Sequence, residues 1–221
     1  MIKTVLWDID GTLLVTGGAG AVAWQRAFEE RYGVEANIEE HTQAGMTDPE
    51  IAAIIFREVI GRDGSEQERA AAIAGYLGHL EDAVNESSGY RIMPGIEEAL
   101  GRLAEQGVLQ GIVTGNIEAA AHIKLARGNL NRFFHFGGYG SDSSDRTEVT
   151  RRALVRGESV LSASFELSEA ISVGDTPRDV SAGHGAGIRV VGVATGAYSV
   201  DQQREAGADW AIADVRSGFP L

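Results

Sequence analysis

The stretch "VLWDIDGTLL", residues 5 to 14, ends an apolar run in two carboxylates, Asp8 and Asp10, and becomes apolar again after Gly11-Thr12. Residues 2–7 (IKTVLW) read as a strand buried on both faces. Such strands lack the apolar/polar alternation of a half-exposed strand and belong to parallel sheets. Ligands of an open α/β sheet bind beyond the carboxyl ends of its strands, which is where Asp8 and Asp10 fall.

Working outward, three helical patterns follow before any further strand. Ala19, Val22, Ala23, Ala27, Phe28 and Tyr32 share a face of the first. Ile51, Ile54, Ile55 and Val59 stripe the second, which Asp48-Pro49 opens as N-cap and first-turn proline. Ala70, Ile73, Leu77, Leu80 and Val84 stripe the third, with the turn "GRDG" (61–64) between these last two. Beyond the linker-like "ESSGYRIMPG" (86–95) the pattern becomes strand and helix in alternation. A helix over 95–106 leads to the strand "LQGIVT" (109–114), a helix over 117–127 and the short apolar "FFHFGGY" (133–139). A helix from Thr147, the strand "AISVG" (170–174), a helix from Pro177, the strand "IRVVGVA" (188–194) and a last strand near "DWAIA" (209–213) complete the series. The expected fold is a doubly wound, mostly parallel α/β sheet made by residues 1–15 and 90–221, with an all-helical insert over 16–89.

Composition narrows the function. A chain of 221 residues with 43% hydrophobic residues and no cysteine builds its core without disulfides and has no thiolate for chemistry. Its net charge of −13 disfavours nucleic acid as a partner, and no apolar run reaches membrane-spanning length or forms a signal peptide. A cytoplasmic protein is expected. Of the 19 Lys and Arg residues only Lys3 and Lys124 are lysine, and neither falls at a strand end.

The strand ends share one chemical theme. Asp8 and Asp10 follow the first strand, Thr114-Gly115-Asn116 the strand at 109–114, and "GDTPRD" places Asp175 and Asp179 after the strand at 170–174. Arg146 stands just before a helix. Taken singly, an Asp at a strand end is often a turn former or N-cap, Thr114 is an ordinary strand residue and Arg146 a solvated charge. Taken together and in this order, DxDGTL, the Thr, the basic residue and GDxxxD resemble the haloacid dehalogenase superfamily of phosphohydrolases. The tail "AGHGAGIRVVGVATGAYSVDQQREAGADWAIAD" is similar to its phosphoglycolate-phosphatase-like branch, and the insert matches that branch's small cap.

The resemblance implies a phosphatase acting on a small phosphorylated metabolite. Asp8 would be the nucleophile, forming an aspartyl-phosphate, and Asp10 the acid/base. Mg2+ would be held by Asp8, the Asp10 carbonyl and Asp175, with Asp179 orienting that shell. Thr114, Arg146 and the backbone near Ile9, Gly115 and Asn116 would hold the phosphoryl oxygens. The hinge residues Thr16 and Gly17 and the loop residues Gly45, Met46 and Thr47 are expected to face the substrate, with the cap closing over it. One departure stands out, since the family usually has Lys-Pro where this chain has Arg146-Thr147.

Other readings fit less well. Carbon–halogen hydrolysis dispenses with the second Asp. A Schiff-base phosphonate hydrolase needs a cap lysine, and residues 16–89 contain none. A sugar phosphomutase would carry a histidine where this chain has Gly20. A phosphoacceptor receiver is shorter and uses a lysine at a strand end, and a binding relative without turnover usually lacks one of the aspartates. Asp48 reads as an N-cap, Trp24 and the methionines as packing residues, and His41 and His184 as surface groups. "GHGAG" (183–187) lacks the strand before it and the helix after it that a nucleotide loop requires.

Overall fold

The computed structural model describes residues 1–220. Its centre is strand β1 (Thr4–Trp7), every residue of which is buried. Two-residue strand β2 (Leu14–Val15) follows, then helices α1 (Ala19–Tyr32), α2 (Ile38–His41), α3 (Asp48–Ile55) and α4 (Glu66–Glu86). A π-helical turn, Phe56–Ile60, prolongs α3. The chain returns through β3 (Arg91–Ile92), α5 (Ile96–Glu105), β4 (Leu109–Val113), α6 (Glu118–Arg127) and β5 (Gly137–Gly138). It ends with α7 (Arg146–Leu161), β6 (Ala170–Gly174), α8 (Pro177–Gly185), β7 (Arg189–Val193), α9 (Val200–Glu205) and β8 (Trp210–Ile212).

Six strands form one sheet in the order β5-β4-β1-β6-β7-β8, all pairings parallel. Register sets the position of the site. Trp7 stands level with Ile112 and Val173, so Asp8 leaves the sheet level with Val113 and Gly174, with Thr114 and Asp175 one residue further along the neighbouring strands. One face of the sheet packs against α5 through Leu100, Leu103, Ile112 and Ile171, and the other against α7 through Leu6, Val149, Ala153 and Leu154. Residues of the 16–89 segment build a separate cluster around Trp24, Phe28, Ile55, Phe56, Tyr76 and Leu80, which meets the rest of the chain through Tyr90 and through Ile117, Ala120 and Ile123 at α6. Trp24 stacks on Tyr76 with ring centroids 4.3 Å apart. Among the described residues no helix is long and apolar enough to cross a membrane.

Several details differ from the sequence reading. The linker-like 86–95 stretch contains β3, which pairs antiparallel with β2, so the outgoing and returning chains are tied together beside the insert. There Gly17 (φ 63°) leaves no room for a side chain, since a Cβ would lie 2.5 Å from the Gly89 Cα. "FFHFGGY" supplies only two strand residues, because the 3-10 turn Asn131–Phe133 takes up its start. On α4 the buried face runs through Ala72, Tyr76, Leu80, Ala83 and Val84, and Ala70 is exposed. Leu80 and Val84 of the expected stripe are buried and Ile73 and Leu77 half-buried against the same cluster, which Tyr76 joins. Val22 on α1 is also exposed. "GHGAG" closes α8 and opens no helix.

Candidate active site

Beyond the carboxyl ends of β1, β4 and β6 lies a cavity of about 220 Å³, roofed by the helical insert. Asp8, Asp10, Thr16, Gly45, Met46, Thr114, Gly115, Asn116 and Arg146 line it. Gly17 and Thr47 do not, contrary to expectation. Gly17 is turned onto Gly89, and the Thr47 side chain is occupied in capping α3. The Ile9 side chain points into the core and is fully buried.

Asp8 is 6% exposed, and one carboxylate oxygen each from Asp8, Asp175 and Asp179 come within 4.8 Å of one another. Each is positioned by its local chain. Asp175 fits between two glycines, with a Cβ at Gly11 or Gly196 lying 2.4 or 1.7 Å from its Oδ2, and Thr12 donates to its Oδ1 at 3.3 Å. Asp179 is held by the start of α8, where it and Thr176 form a reciprocal cap, with the Thr176 hydroxyl donating to it at 2.7 Å. Arg146 is the first residue of α7, which Asp145 caps, and its buried side chain turns back to pair with Asp179 and with Asp8 at 3.5 Å.

Electrostatics bear on the metal question. Burial, then the charges of Asp179 and Asp175, push the Asp8 carboxyl well above the usual carboxylate range, with Arg146 opposing. Asp175 is pushed up to about 8 by burial and by Asp179. Burial works against the Arg146 charge, but Asp179, Asp8 and Asp175 more than offset it. A buried, oxygen-only cluster of like charges with one partial counter-ion suits a small hard divalent cation such as Mg2+. The residues fit the group.

The sign of the pH effect follows. A carboxyl whose folded pKa lies above its unfolded value of 3.8 binds its proton more tightly in the folded state. The contribution of Asp175 to the stability of the metal-free protein therefore falls as pH rises from about 4 to about 8. A Mg2+ ion held by these carboxylates would compete with those protons, so saturating Mg2+ is expected to raise Tm more near pH 8 than near pH 5. Thermal melts with and without Mg2+ at the two pH values measure this. An equal rise at both would mean that the ion binds elsewhere.

Asp10 is placed differently from Asp8. Its side chain is 42% exposed, and its Oδ2 accepts from Asn116 Nδ2 and from Lys124 Nζ, each at 2.7 Å. Lys124 also donates to Asn116 Oδ1 at 2.6 Å. The sequence reading left Lys124 without a role because it lies away from any strand end. The structure corrects this, since the Lys124 side chain reaches Asp10 and Asn116 from the last turn of α6. No local spacing signals this, because Asn116 lies on the turn before the helix. Asp48 is likewise more than expected. Thr47 is the N-cap of α3, while Asp48 lies one residue inside, 3% exposed, at the cavity wall with Trp24 and Tyr76.

A doubly wound parallel sheet that presents a DxD motif and a buried acidic cluster at its carboxyl edge defines a class of hydrolase. The chain belongs to the haloacid dehalogenase-like hydrolase family, whose model matches residues 5–193. It is 27% identical over 235 residues to the phosphoglycolate phosphatase of Rhodospirillum rubrum, covering 100% of this chain and 92% of that protein. It is 24% identical over 213 residues to a Dickeya dadantii protein carrying the name "Probable phosphatase IndB", covering 93% of this chain and 87% of the other. The crystal structure of CbbY from Rhodobacter sphaeroides in complex with phosphate shares the fold at a TM-score of 0.78 and 19% identity, over 99% of this chain and 97% of that one.

Proposed function

We propose that the protein is a Mg2+-dependent phosphatase that hydrolyses a small phosphate monoester through an aspartyl-phosphate on Asp8. The observation that carries this reading is the contrast between the two carboxylates of the DxD motif. Asp8 is buried beside Asp175, Asp179 and Arg146, whereas Asp10 faces the cavity with its own partners. The first suits a nucleophile fixed against the phosphorus, the second a group that exchanges protons with a leaving group and then with water.

Asp8, Asp175 and the Asp10 carbonyl would hold Mg2+, with Asp179 orienting them. The ion would lower the repulsion between the phosphoryl dianion and the carboxylates. Thr114, the Gly115 and Asn116 backbone and Arg146 bind the equatorial oxygens and orient phosphorus in line with the Asp8 oxygen. Asp10 gives its proton to the departing alkoxide, then takes one from the water that attacks the acyl phosphate. The roof formed by Trp24, Ile38, Ile51 and Tyr76 limits water to that one role.

The cavity also bears on the substrate. Among the described residues lining it, the cations are Lys124 and Arg146, both already engaged by carboxylates, while Glu39 and Asp48 add negative charge. A small leaving group without a second anion fits best, which places phosphoglycolate behind uncharged hydroxylated esters. The test is phosphate release from a panel of phosphorylated metabolites and one aryl phosphate. Chelator is expected to abolish release and Mg2+ to restore it. Unchanged release in chelator would overturn the reading.

A further inference from the structure

Helix α6 starts without a cap of its own. Ile117 stands at its N-cap position, and its side chain has no acceptor for the first N–H groups of the helix. The acceptor comes from across the cleft, where Asp48 Oδ2 takes the Ile117 N–H at 2.8 Å. The Asp48 N–H donates in return to the Gly115 carbonyl at 2.9 Å. One residue of the insert thus binds both ends of the 115–117 turn. Asp48 itself is held by the reciprocal Thr47–Glu50 cap of α3. The approach is close enough that a Cβ on Gly115 would lie 2.4 Å from the Met46 carbonyl oxygen. The turn so gripped carries Asn116, and α6 carries Lys124, the two side chains that hold Asp10.

We propose that Asp48 is a positioning residue: it caps α6 from the helical insert and thereby fixes the Asn116–Lys124 grip on Asp10 only while the insert is seated on the core. The kinetic consequence rests on the phosphatase reading, but the geometry does not. A carboxylate at a helix start interacts favourably with the helix dipole and makes a charge-assisted hydrogen bond. Burial raises the Asp48 pKa to about 6, with Lys124 and the Ile117 N–H favouring the charged form, so the acceptor is mostly ionised at neutral pH. When the insert lifts, α6 loses its cap and the 115–117 turn is released. The proton-transferring group is then ordered only when substrate is enclosed.

Amide hydrogen exchange and kinetics on single variants test this together. In Asp48→Ala, exchange at residues 117–119 is expected to quicken by ~10-fold, the scale of one lost charge-assisted bond, with α5 unchanged. In the same variant kcat/KM for a phosphorylated metabolite should fall ~10-fold, while kcat/KM for an aryl phosphate, which ends at phosphoryl transfer to Asp8 and whose leaving group needs little protonation, stays within ~3-fold. Asp48→Asn keeps an acceptor oxygen and should restore most of both. If Asp48→Ala does not fold, Asp48→Leu in its place is read by the same exchange. Wild-type exchange at 117–119 in the truncated variant, or an Asn variant as damaged as Ala, would overturn the proposal. Absence of any phosphate release by the wild-type protein would sink the phosphatase reading instead, and the exchange result would still decide the role of Asp48.

Discussion

Asp8→Asn is expected to abolish phosphate release, by at least about 10⁴-fold in kcat, because an amide oxygen does not form the acyl phosphate and no neighbouring carboxylate is placed to substitute. Asp175 and Asp179 are turned into the acidic cluster, and the Asp10 carboxylate is tied to Asn116 and Lys124. The same substitution should leave the metal-free protein no less stable near pH 8, and more stable by a few degrees in Tm. Burial and the charge of Asp179 disfavour an ionised Asp8, and asparagine removes that cost with the same shape. Loss of turnover with an equal or higher Tm separates a missing nucleophile from a damaged fold. Residual turnover within ~10-fold of wild type would mean that the nucleophile has been misassigned.

The parts legible in the sequence were those in which one local pattern fixes one outcome. The β1 run and "AISVG" read as buried strands because every residue is apolar or small, and both are wholly buried. The strand-end residues Asp8, Thr114 and Asp175 came together because parallel register brings the carboxyl ends of neighbouring strands to one edge, to within one residue of each other. Lys124 and Asp48 were not legible as site residues. The place of Lys124 beside Asp10 depends on how α6 leans across the cleft, and that of Asp48 on how the insert seats against residues 115–117. Both are consequences of tertiary packing between segments far apart in sequence, where helix periodicity has nothing to say. The β2–β3 pair was missed for a related reason. Two-residue strands carry no periodic signal, and their pairing follows from the chain having to leave and re-enter the core at one place. On α4 the expected stripe holds at Ile73, Leu77, Leu80 and Val84, which all pack in the insert's cluster, and fails at Ala70, which is exposed near the start of the helix.

The remaining large effect concerns the cation beside Asp8. In the proposed reaction four carboxylates, Asp8, Asp10, Asp175 and Asp179, would meet a substrate dianion, and one divalent ion would offset only part of that charge. Lys124 answers to Asp10, so the cation at Asp8 is Arg146. Its pairing with Asp179 positions the guanidinium, while its Nε–H is buried without a hydrogen-bond partner and its Nη1 makes only a 3.4 Å contact to the Gly45 carbonyl. Donors therefore remain for phosphoryl oxygens, in the forked geometry that suits two of them at once. Arg146→Ala should lower kcat by about 10²-fold or more, as for loss of one preorganised transition-state donor. Arg146→Lys restores a point charge but not the fork, and should recover part of kcat. The neighbouring arginines serve as controls: Arg151 donates to the Gly185 carbonyl, and Arg178 is 40% exposed and 3.7 Å from Glu50. Their alanine variants should stay within ~3-fold of wild type, the scale of a surface contact. Near wild-type kcat in Arg146→Ala, with either control inactive, would transfer the phosphoryl-binding role to that arginine.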